Sequence, residues 1–218
     1  MKAVIFDLDG TLLNTINTIE YYCNKALKKY GFDSICADRY KLLVGNGATL
    51  LVERAMSETR EWTKEEFDNV FAEYNKLYDA DTLYLTEPYA KIVDMLHTLK
   101  DKGYKIAVLS NKPDFATGDV VRTIFGDGLF DIVRGGIEGV PLKPDPTAVF
   151  DIMAELGVGK DETIFVGDTK VDITTGKNAG LYSVGVLWGF RDEAELKEAG
   201  ADVIIDDADD IIKIAESR

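Results

Sequence analysis

The stretch AVIFDLDGT, residues 3–11, begins with an apolar run that ends in two aspartates. Four consecutive apolar residues bounded by charge are typical of a strand buried on both faces of a parallel sheet. Asp7 and Asp9 come directly after this run and, being two residues apart, leave the strand on the same side. Gly10 then allows a sharp turn. Because ligands of open α/β sheets bind beyond the carboxyl ends of the strands, this stretch predicts both a fold and the place of a site.

Four more apolar runs of this kind follow along the chain, and stretches of helical periodicity separate most of them. The runs are 106–109, 164–166, 184–187 and 203–205. Buried strands that alternate with helices predict an α/β fold, namely a doubly wound and mostly parallel sheet with right-handed crossovers.

Residues 15–83 interrupt this alternation. They contain no convincing strand, and their apolar residues recur at helical spacing, as at Ile16, Ile19 and Cys23. An insertion of this length with apolar faces of its own is a domain rather than a loop. We therefore predict a core domain formed by residues 1–14 and 84–218 and a helical domain formed by residues 15–83.

Composition limits the classes of partner. The chain has 218 residues, of which 46% are hydrophobic, enough for one core and a small second domain. The net charge of −14 repels nucleic acid and anionic lipid. No apolar run is long enough to span a bilayer, and the first residues do not form a secretory signal. We expect a cytoplasmic monomer or homodimer that binds a small molecule and neither nucleic acid nor membrane.

Cysteine and histidine are too few for several hydrolytic mechanisms. Cys23 and Cys36 have neither C-x-x-C nor zinc-like spacing, and no arginine stands six residues after either, which excludes a cysteine-phosphatase loop. The single histidine, His97, excludes a His-rich binuclear metal site. The chemistry must therefore come from carboxylates, hydroxyls, amides and lysines.

Polar side chains at other strand ends meet that requirement. Ser110 and Asn111 follow the run 106–109 and have donors for phosphate oxygens, although the same pair is also typical of a helix cap. Lys143 stands in an extended KPDP segment ahead of a helix, where its point charge suits a phosphate or an aspartyl phosphate.

Two further carboxylates follow the run 164–166. Asp168 lies where it could complete a metal site, and Asp172 lies at a helix start, where the helix dipole also stabilises a carboxylate. Together the strand ends predict a site for oxygen-liganded Mg²⁺ and a phosphoryl group.

At these residues the sequence resembles, over its whole length, the haloacid dehalogenase superfamily of phosphotransferases. The signatures occur in the expected order: DLDGT at 7–11, Ser110, Lys143, and Asp168 with Asp172. The helical insertion resembles the cap domain of that family. The resemblance implies a Rossmann-like core and Mg²⁺ as the cofactor.

The resemblance also implies roles for individual residues. Asp7 would be the nucleophile and a metal ligand, and Asp9 would be the acid–base group, with its backbone carbonyl on the metal. Asp168 would be a further ligand, and Asp172 would act on the metal directly or through another ligand. The phosphoryl group would be held by Thr11, Ser110, Asn111 and Lys143. An aspartate at position 9 favours phosphoryl transfer over cleavage of a carbon–halogen bond.

Within the superfamily, segments 43–47, 51–55, 143–146 and 185–191 resemble those of phosphoglycolate phosphatases. The implied activity is Mg²⁺-dependent hydrolysis of a small phosphate monoester through a phosphoaspartate. In the cap, Gly45, Asn46 and Gly47 would contact the leaving group, although Gly-Asn-Gly is also an ordinary helix–helix turn. Two alternatives stay open: a β-phosphoglucomutase-like phosphosugar mutase, and a non-catalytic binding protein on the same scaffold.

Overall fold

Six parallel strands form the main sheet of the computed structural model, which describes residues 1–218, in the order β5-β4-β1-β6-β7-β8. Two short strands, β2 and β3, form a separate sheet. The strands in chain order are β1 (Ala3–Phe6), β2 (Leu13–Asn14), β3 (Glu87–Pro88), β4 (Lys105–Pro113), β5 (Ile132–Gly136), β6 (Thr163–Gly167), β7 (Tyr182–Val186) and β8 (Val203–Ile205). The predicted fold class is confirmed.

Strand β1 lies in the middle of the main sheet, and all four of its residues are fully buried. Its last residue, Phe6, is in register with Val108 of β4 and Val166 of β6. The polar residues that follow these three aligned positions, within β4 and after β1 and β6, therefore start from the same side of the sheet.

The sheet also contains a strand that the apolar pattern did not predict. All five predicted runs lie within or overlap strands of the main sheet, but β5 has the sequence IVRGG and only two large apolar residues. It is an edge strand with a single neighbour, β4, and only Ile132 and Gly135 are buried. A strand with this little buried surface does not need a continuous apolar run.

Helices cover the main sheet with their apolar faces. In α7, Val149 and Ile152 are fully buried and belong to one cluster with Ile5 and Phe165 of the sheet. The helices of this unit are α5 (Ile92–Asp101), α6 (Asp114–Phe125), α7 (Thr147–Leu156), α8 (Lys170–Ala179), α9 (Glu193–Glu198) and α10 (Asp209–Ser217), with a short 3₁₀ helix at Lys160–Glu162.

The chain divides into two compact units, residues 1–14 with 88–218, and residues 15–87. The second unit contains no strand of the main sheet and consists of four helices: α1 (Ile16–Lys29), α2 (Ala37–Leu43), α3 (Ala48–Ser57) and α4 (Lys64–Ala80). That the units are independent domains, with the predicted boundary at residue 83, stays a prediction. No helix of either unit is both long and apolar enough to cross a membrane.

Candidate active site

The turn after β1 brings Asp7 and Gly10 to the carboxyl edge of the sheet. The Asp7 amide donates to the carbonyl of Val166 over 2.9 Å, which ties the end of β1 to β6. Gly10 has a φ of +97°, and a Cβ there would lie 2.3 Å from Oδ2 of Asp168. Only glycine therefore allows this turn to pack directly against the Asp168 carboxylate.

Lys143 joins two carboxylates in the interior of this unit. Its Nζ donates to Asp7 Oδ1 over 2.6 Å and to Asp172 Oδ1 over 2.7 Å, and its side chain is 3% exposed. Asn111 holds the lysine backbone from both sides, because its Nδ2 donates to the Lys143 carbonyl (3.0 Å) and its Oδ1 accepts from the Lys143 amide (2.8 Å). The predicted contact of Asn111 with phosphate stays a prediction.

Asp168 is completely buried and accepts two hydrogen bonds. The hydroxyl of Thr11 donates to its Oδ1 over 3.0 Å, and the amide of Phe190 donates to its Oδ2 over 2.8 Å. The Trp188 indole donates to the Thr11 carbonyl over 2.9 Å, which also ties this turn to the segment after β7. Thr11, predicted to hold phosphate, orients a carboxylate in this arrangement.

Asp172 caps the start of α8 and also contacts the buried Lys143, while its predicted role at a metal stays a prediction. It is the third residue of α8 and forms a capping box with Thr169, whose hydroxyl and amide donate to Asp172 Oδ2 over 2.7 and 3.1 Å. Its other oxygen accepts from Lys143. The helix start therefore sets the orientation of a carboxylate that also holds the buried lysine.

The electrostatics of this cluster suit a divalent cation. Asp7, Asp168 and Asp172 each have a carboxylate oxygen within 4.8 Å of the others, and all three residues are buried. Burial, together with the charge of Asp172, raises the pKa of Asp7 well above its ordinary value despite the attraction of Lys143. The same two causes raise the pKa of Asp168 to about 7. The positive charges of Lys143 and, more weakly, of Arg191 do not prevent the rise in the pKa of Asp7 and Asp168, and hard oxygen donors of this kind fit Mg²⁺.

Asp9 is paired with a lysine that the sequence analysis did not select. Lys112 Nζ lies 3.4 Å from Asp9 Oδ1, and the two side chains are 5% and 20% exposed. The only sequence signal was that Lys112 directly follows Ser110 and Asn111. These three residues belong to strand β4, and α6 has no side-chain cap, so the alternative reading of Ser110 and Asn111 as a helix cap is wrong.

Tyr89 is a second residue that the sequence analysis missed. Its backbone amide donates to the carbonyl of Leu12 over 3.2 Å. Its side chain is half-buried, and burial with the charges of Asp168 and Asp9 raises its pKa. The phenol therefore stays protonated beside these carboxylates at neutral pH.

The predicted cap residues lie in the helical unit, in the turn between α2 and α3. Gly47 immediately precedes α3, and Asn46 Oδ1 accepts from Arg54 Nη1 over 3.0 Å. The same Arg54 nitrogen donates to the carbonyl of Leu43, also over 3.0 Å, so the arginine braces the turn. Contact of Gly45, Asn46 and Gly47 with a substrate stays a prediction.

Comparison with known proteins gives concordant matches. A family model described as haloacid dehalogenase-like hydrolase matches residues 4–186. A phosphoglycolate phosphatase of Aquifex aeolicus is 31% identical over 100% of this chain and 98% of its own length. Another phosphoglycolate phosphatase, of Haemophilus influenzae, is 29% identical over 98% and 97% of the two chains. A crystal structure described as a predicted phosphoglycolate phosphatase from Haemophilus somnus superposes with a TM-score of 0.92, at 29% identity over 98% and 97%.

Proposed function

Because the chain belongs to the haloacid dehalogenase-like hydrolase family, we propose that it is a magnesium-dependent phosphatase acting on a small-molecule phosphate monoester through a phosphoaspartate on Asp7. The family and the hydrolase class predicted from the sequence are confirmed. The observation that carries the finer proposal is the buried cluster in which Lys143 bridges Asp7 and Asp172 beside Asp168. The names of the relatives make 2-phosphoglycolate the first substrate to test.

The first chemical step forms the covalent intermediate. A carboxylate oxygen of Asp7 attacks phosphorus while the bond from phosphorus to the ester oxygen breaks. Asp9 gives its proton to the departing oxygen, so the leaving group departs as a neutral alcohol. A carboxylate is already ionised at neutral pH once a cation offsets its burial, so Asp7 needs no base to activate it.

The second step returns the enzyme to its starting state. Asp9, now ionised, takes a proton from water, and the water oxygen attacks phosphorus. The bond between phosphorus and the Asp7 oxygen breaks, which releases inorganic phosphate and restores both carboxyl groups. One residue serves as acid and then as base, so the absence of a nearby histidine is no obstacle.

Charge stabilisation comes from Lys143 and from the metal site. Burial disfavours the charged form of Lys143, but Asp172 and Asp7 outweigh it and raise the pKa of the lysine, which therefore stays an ammonium. Mg²⁺ would be held by Asp7, Asp168 and the Asp9 carbonyl, with Asp172 nearby, and would supply positive charge to the phosphoryl oxygens. Because Lys143 is held by its partners beforehand, it needs no reorganisation during the reaction.

The test is phosphate release from a panel of small phosphate monoesters, with EDTA and then with Mg²⁺ restored. Asp7→Asn removes the nucleophile and a metal ligand and should abolish turnover. Asp9→Asn keeps the backbone carbonyl but removes the proton donor, so turnover should fall roughly 10²–10⁴-fold. Asp151→Asn, at an exposed position of α7, is the matched control and should change nothing.

Beryllium fluoride, an analogue of the phosphoaspartate, should inhibit the wild type and not bind Asp7→Asn. Near-normal turnover by Asp7→Asn, or full activity in EDTA, would refute the mechanism. Phosphate passed to a second sugar position without release would favour the mutase alternative, and ester binding without turnover would favour a binding protein. A cytoplasmic location and a monomeric or homodimeric state stay predictions.

A further inference from the structure

The segment that follows β7, residues 187–191, is held at both of its ends, and we call it the β7 loop. At its start, the amide of Leu187 donates to the carbonyl of Ile205 in β8 over 2.9 Å. At its end, Arg191 Nε lies 3.2 Å from Glu195 Oε2 in α9. The position of the loop is therefore fixed by the elements on either side, and the proposed mechanism gives the loop no role.

The middle of the β7 loop packs directly against Asp168. A Cβ at Gly189 would lie 2.3 Å from the Cβ of Asp168 and 2.5 Å from the carbonyl oxygen of Gly10, so only glycine leaves room for this close approach. The amide of the next residue, Phe190, donates to Asp168 Oδ2 over 2.8 Å. One oxygen of the Asp168 carboxylate is therefore oriented directly by the backbone of the loop.

The other oxygen of Asp168 is connected to the loop through Thr11. The Thr11 hydroxyl donates to Asp168 Oδ1 over 3.0 Å, and the Trp188 indole donates to the Thr11 carbonyl over 2.9 Å. A threonine side chain is restricted about χ1, so the direction of its hydroxyl follows its backbone. The indole hydrogen bond that holds this backbone therefore also directs the hydroxyl that reaches the carboxylate.

These contacts matter because the carboxylate of an aspartate turns easily about its last torsion angle. Each oxygen of a carboxylate has two lone pairs, and the two hydrogen bonds use one lone pair on each oxygen of Asp168. The carboxylate can therefore still coordinate a cation, in a direction that the two donors set. One of its oxygens lies within 4.8 Å of oxygens of Asp7 and Asp172, in the cluster that suits Mg²⁺.

We propose that Trp188 is a positioning residue for the metal site, because its hydrogen bond to Thr11 orients the Asp168 carboxylate and thereby raises the affinity for Mg²⁺. This inference rests on the proposed function, in which Asp168 is a metal ligand. Groups that orient the ligands of a metal typically contribute about 10- to 100-fold to metal affinity. Trp188 acts one residue further away, so we expect a smaller contribution, roughly three- to tenfold.

The test measures binding of Mn²⁺ through the electron paramagnetic resonance signal of the free ion, because Mn²⁺ suits the same octahedral oxygen sites as Mg²⁺ and the measurement needs no turnover. Trp188→Phe keeps an aromatic ring and removes the N–H donor, so it should weaken Mn²⁺ binding roughly three- to tenfold. In the phosphate-release assay, the Mg²⁺ concentration at half-maximal rate should rise by a similar factor. The kcat at saturating Mg²⁺ should change less than about twofold, as expected when only binding is affected.

A double-mutant cycle tests whether Trp188 acts through Thr11. Thr11→Val removes the hydroxyl at nearly constant volume and should weaken Mn²⁺ binding about 10- to 100-fold, whereas Thr11→Ser should keep most of the affinity. Adding Trp188→Phe to Thr11→Val should cause little further loss, because the hydroxyl that the indole directs is already absent.

Trp62→Phe is the matched control. The Trp62 indole also donates a hydrogen bond, to Ser57 Oγ over 3.0 Å, but both residues belong to the helical unit. This variant should leave Mn²⁺ binding unchanged. Urea unfolding checks the stability of each variant, and Trp188→Met replaces Trp188→Phe if the latter does not fold.

Two results would overturn this inference and leave the proposed function intact: wild-type Mn²⁺ affinity in Trp188→Phe, or an equal loss from this substitution with and without the Thr11 hydroxyl. A wild type that binds neither Mn²⁺ nor Mg²⁺ would overturn the metal dependence of the proposed function and this inference together.

Discussion

Replacing Lys143 by methionine tests how the buried charges of the site are balanced. Methionine keeps an unbranched side chain of similar size and removes only the ammonium, which lies 2.6 and 2.7 Å from two carboxylates. Lys143→Met would leave these carboxylates buried without their cation. Removing one partner of a buried ion pair typically costs about 3–5 kcal/mol, and we expect a loss of this size in the free energy of unfolding. This would be a large part of the total stability of a protein of this size.

The loss of stability in Lys143→Met should depend on pH and on the presence of Mg²⁺. Asp7 has a raised pKa, so it takes up a proton more readily than an exposed aspartate. At acidic pH this proton neutralises one of the buried carboxylates and partly compensates for the loss of the Lys143 ammonium. The destabilisation should therefore be largest at mildly alkaline pH in EDTA, where the carboxylates are ionised. Mg²⁺ should restore part of the lost stability, because a ligand that binds only the native state stabilises it.

The measurement is urea unfolding followed by circular dichroism and tryptophan fluorescence. Lys177→Met is the matched control, because Lys177 is also 2.6 Å from an aspartate, Asp202, but the two side chains are 38% and 28% exposed. Exposed pairs contribute about 0–1 kcal/mol. Equal losses in the two variants, or a loss below about 1 kcal/mol in Lys143→Met, would refute the argument that burial sets the cost.

Two other predictions concern Asp168 and the turn that packs on it. Asp168 has a pKa of about 7 in the metal-free fold against an ordinary value of 3.8, so the native state keeps a proton that the unfolded chain has lost. Stability in EDTA should therefore fall as pH rises from about 4 to 7, and Asp168→Asn should flatten that part of the curve; a rise across this window in the wild type would contradict the assignment. Gly10→Ala should cost about 1–3 kcal/mol more than Gly103→Ala in urea unfolding, because both glycines have positive φ but only at Gly10 would a Cβ collide with Asp168. Equal losses of stability in the two variants would contradict this prediction, because they would show that the structure makes room for a Cβ at position 10.

The central strands could be predicted because their burial requires a continuous run of apolar residues in the sequence. A strand with neighbours on both sides and helices on both faces must be apolar at nearly every position, as β1 is. Edge strand β5 has no such apolar run, since two of its five residues are glycines, and its place in the sheet depends on pairing with β4. In the same way, Ser110 and Asn111 are residue types that often cap helices, but in the folded chain they belong to strand β4.

By itself, the sequence determined which residue types stand at the carboxyl ends of the buried strands: Asp7 and Asp9, Ser110 and Asn111, and Asp168. It could do so because strand burial and loop polarity are local properties of the chain. Only the tertiary structure decided the partners. Lys143 meets Asp7 across 136 residues and Asp172 across 29. Lys112 meets Asp9 across 103 residues. These pairs depend on strand order and register, which set the distances between the atoms. The burial that raises the pKa of Asp7 and of Asp168 likewise exists only in the folded chain.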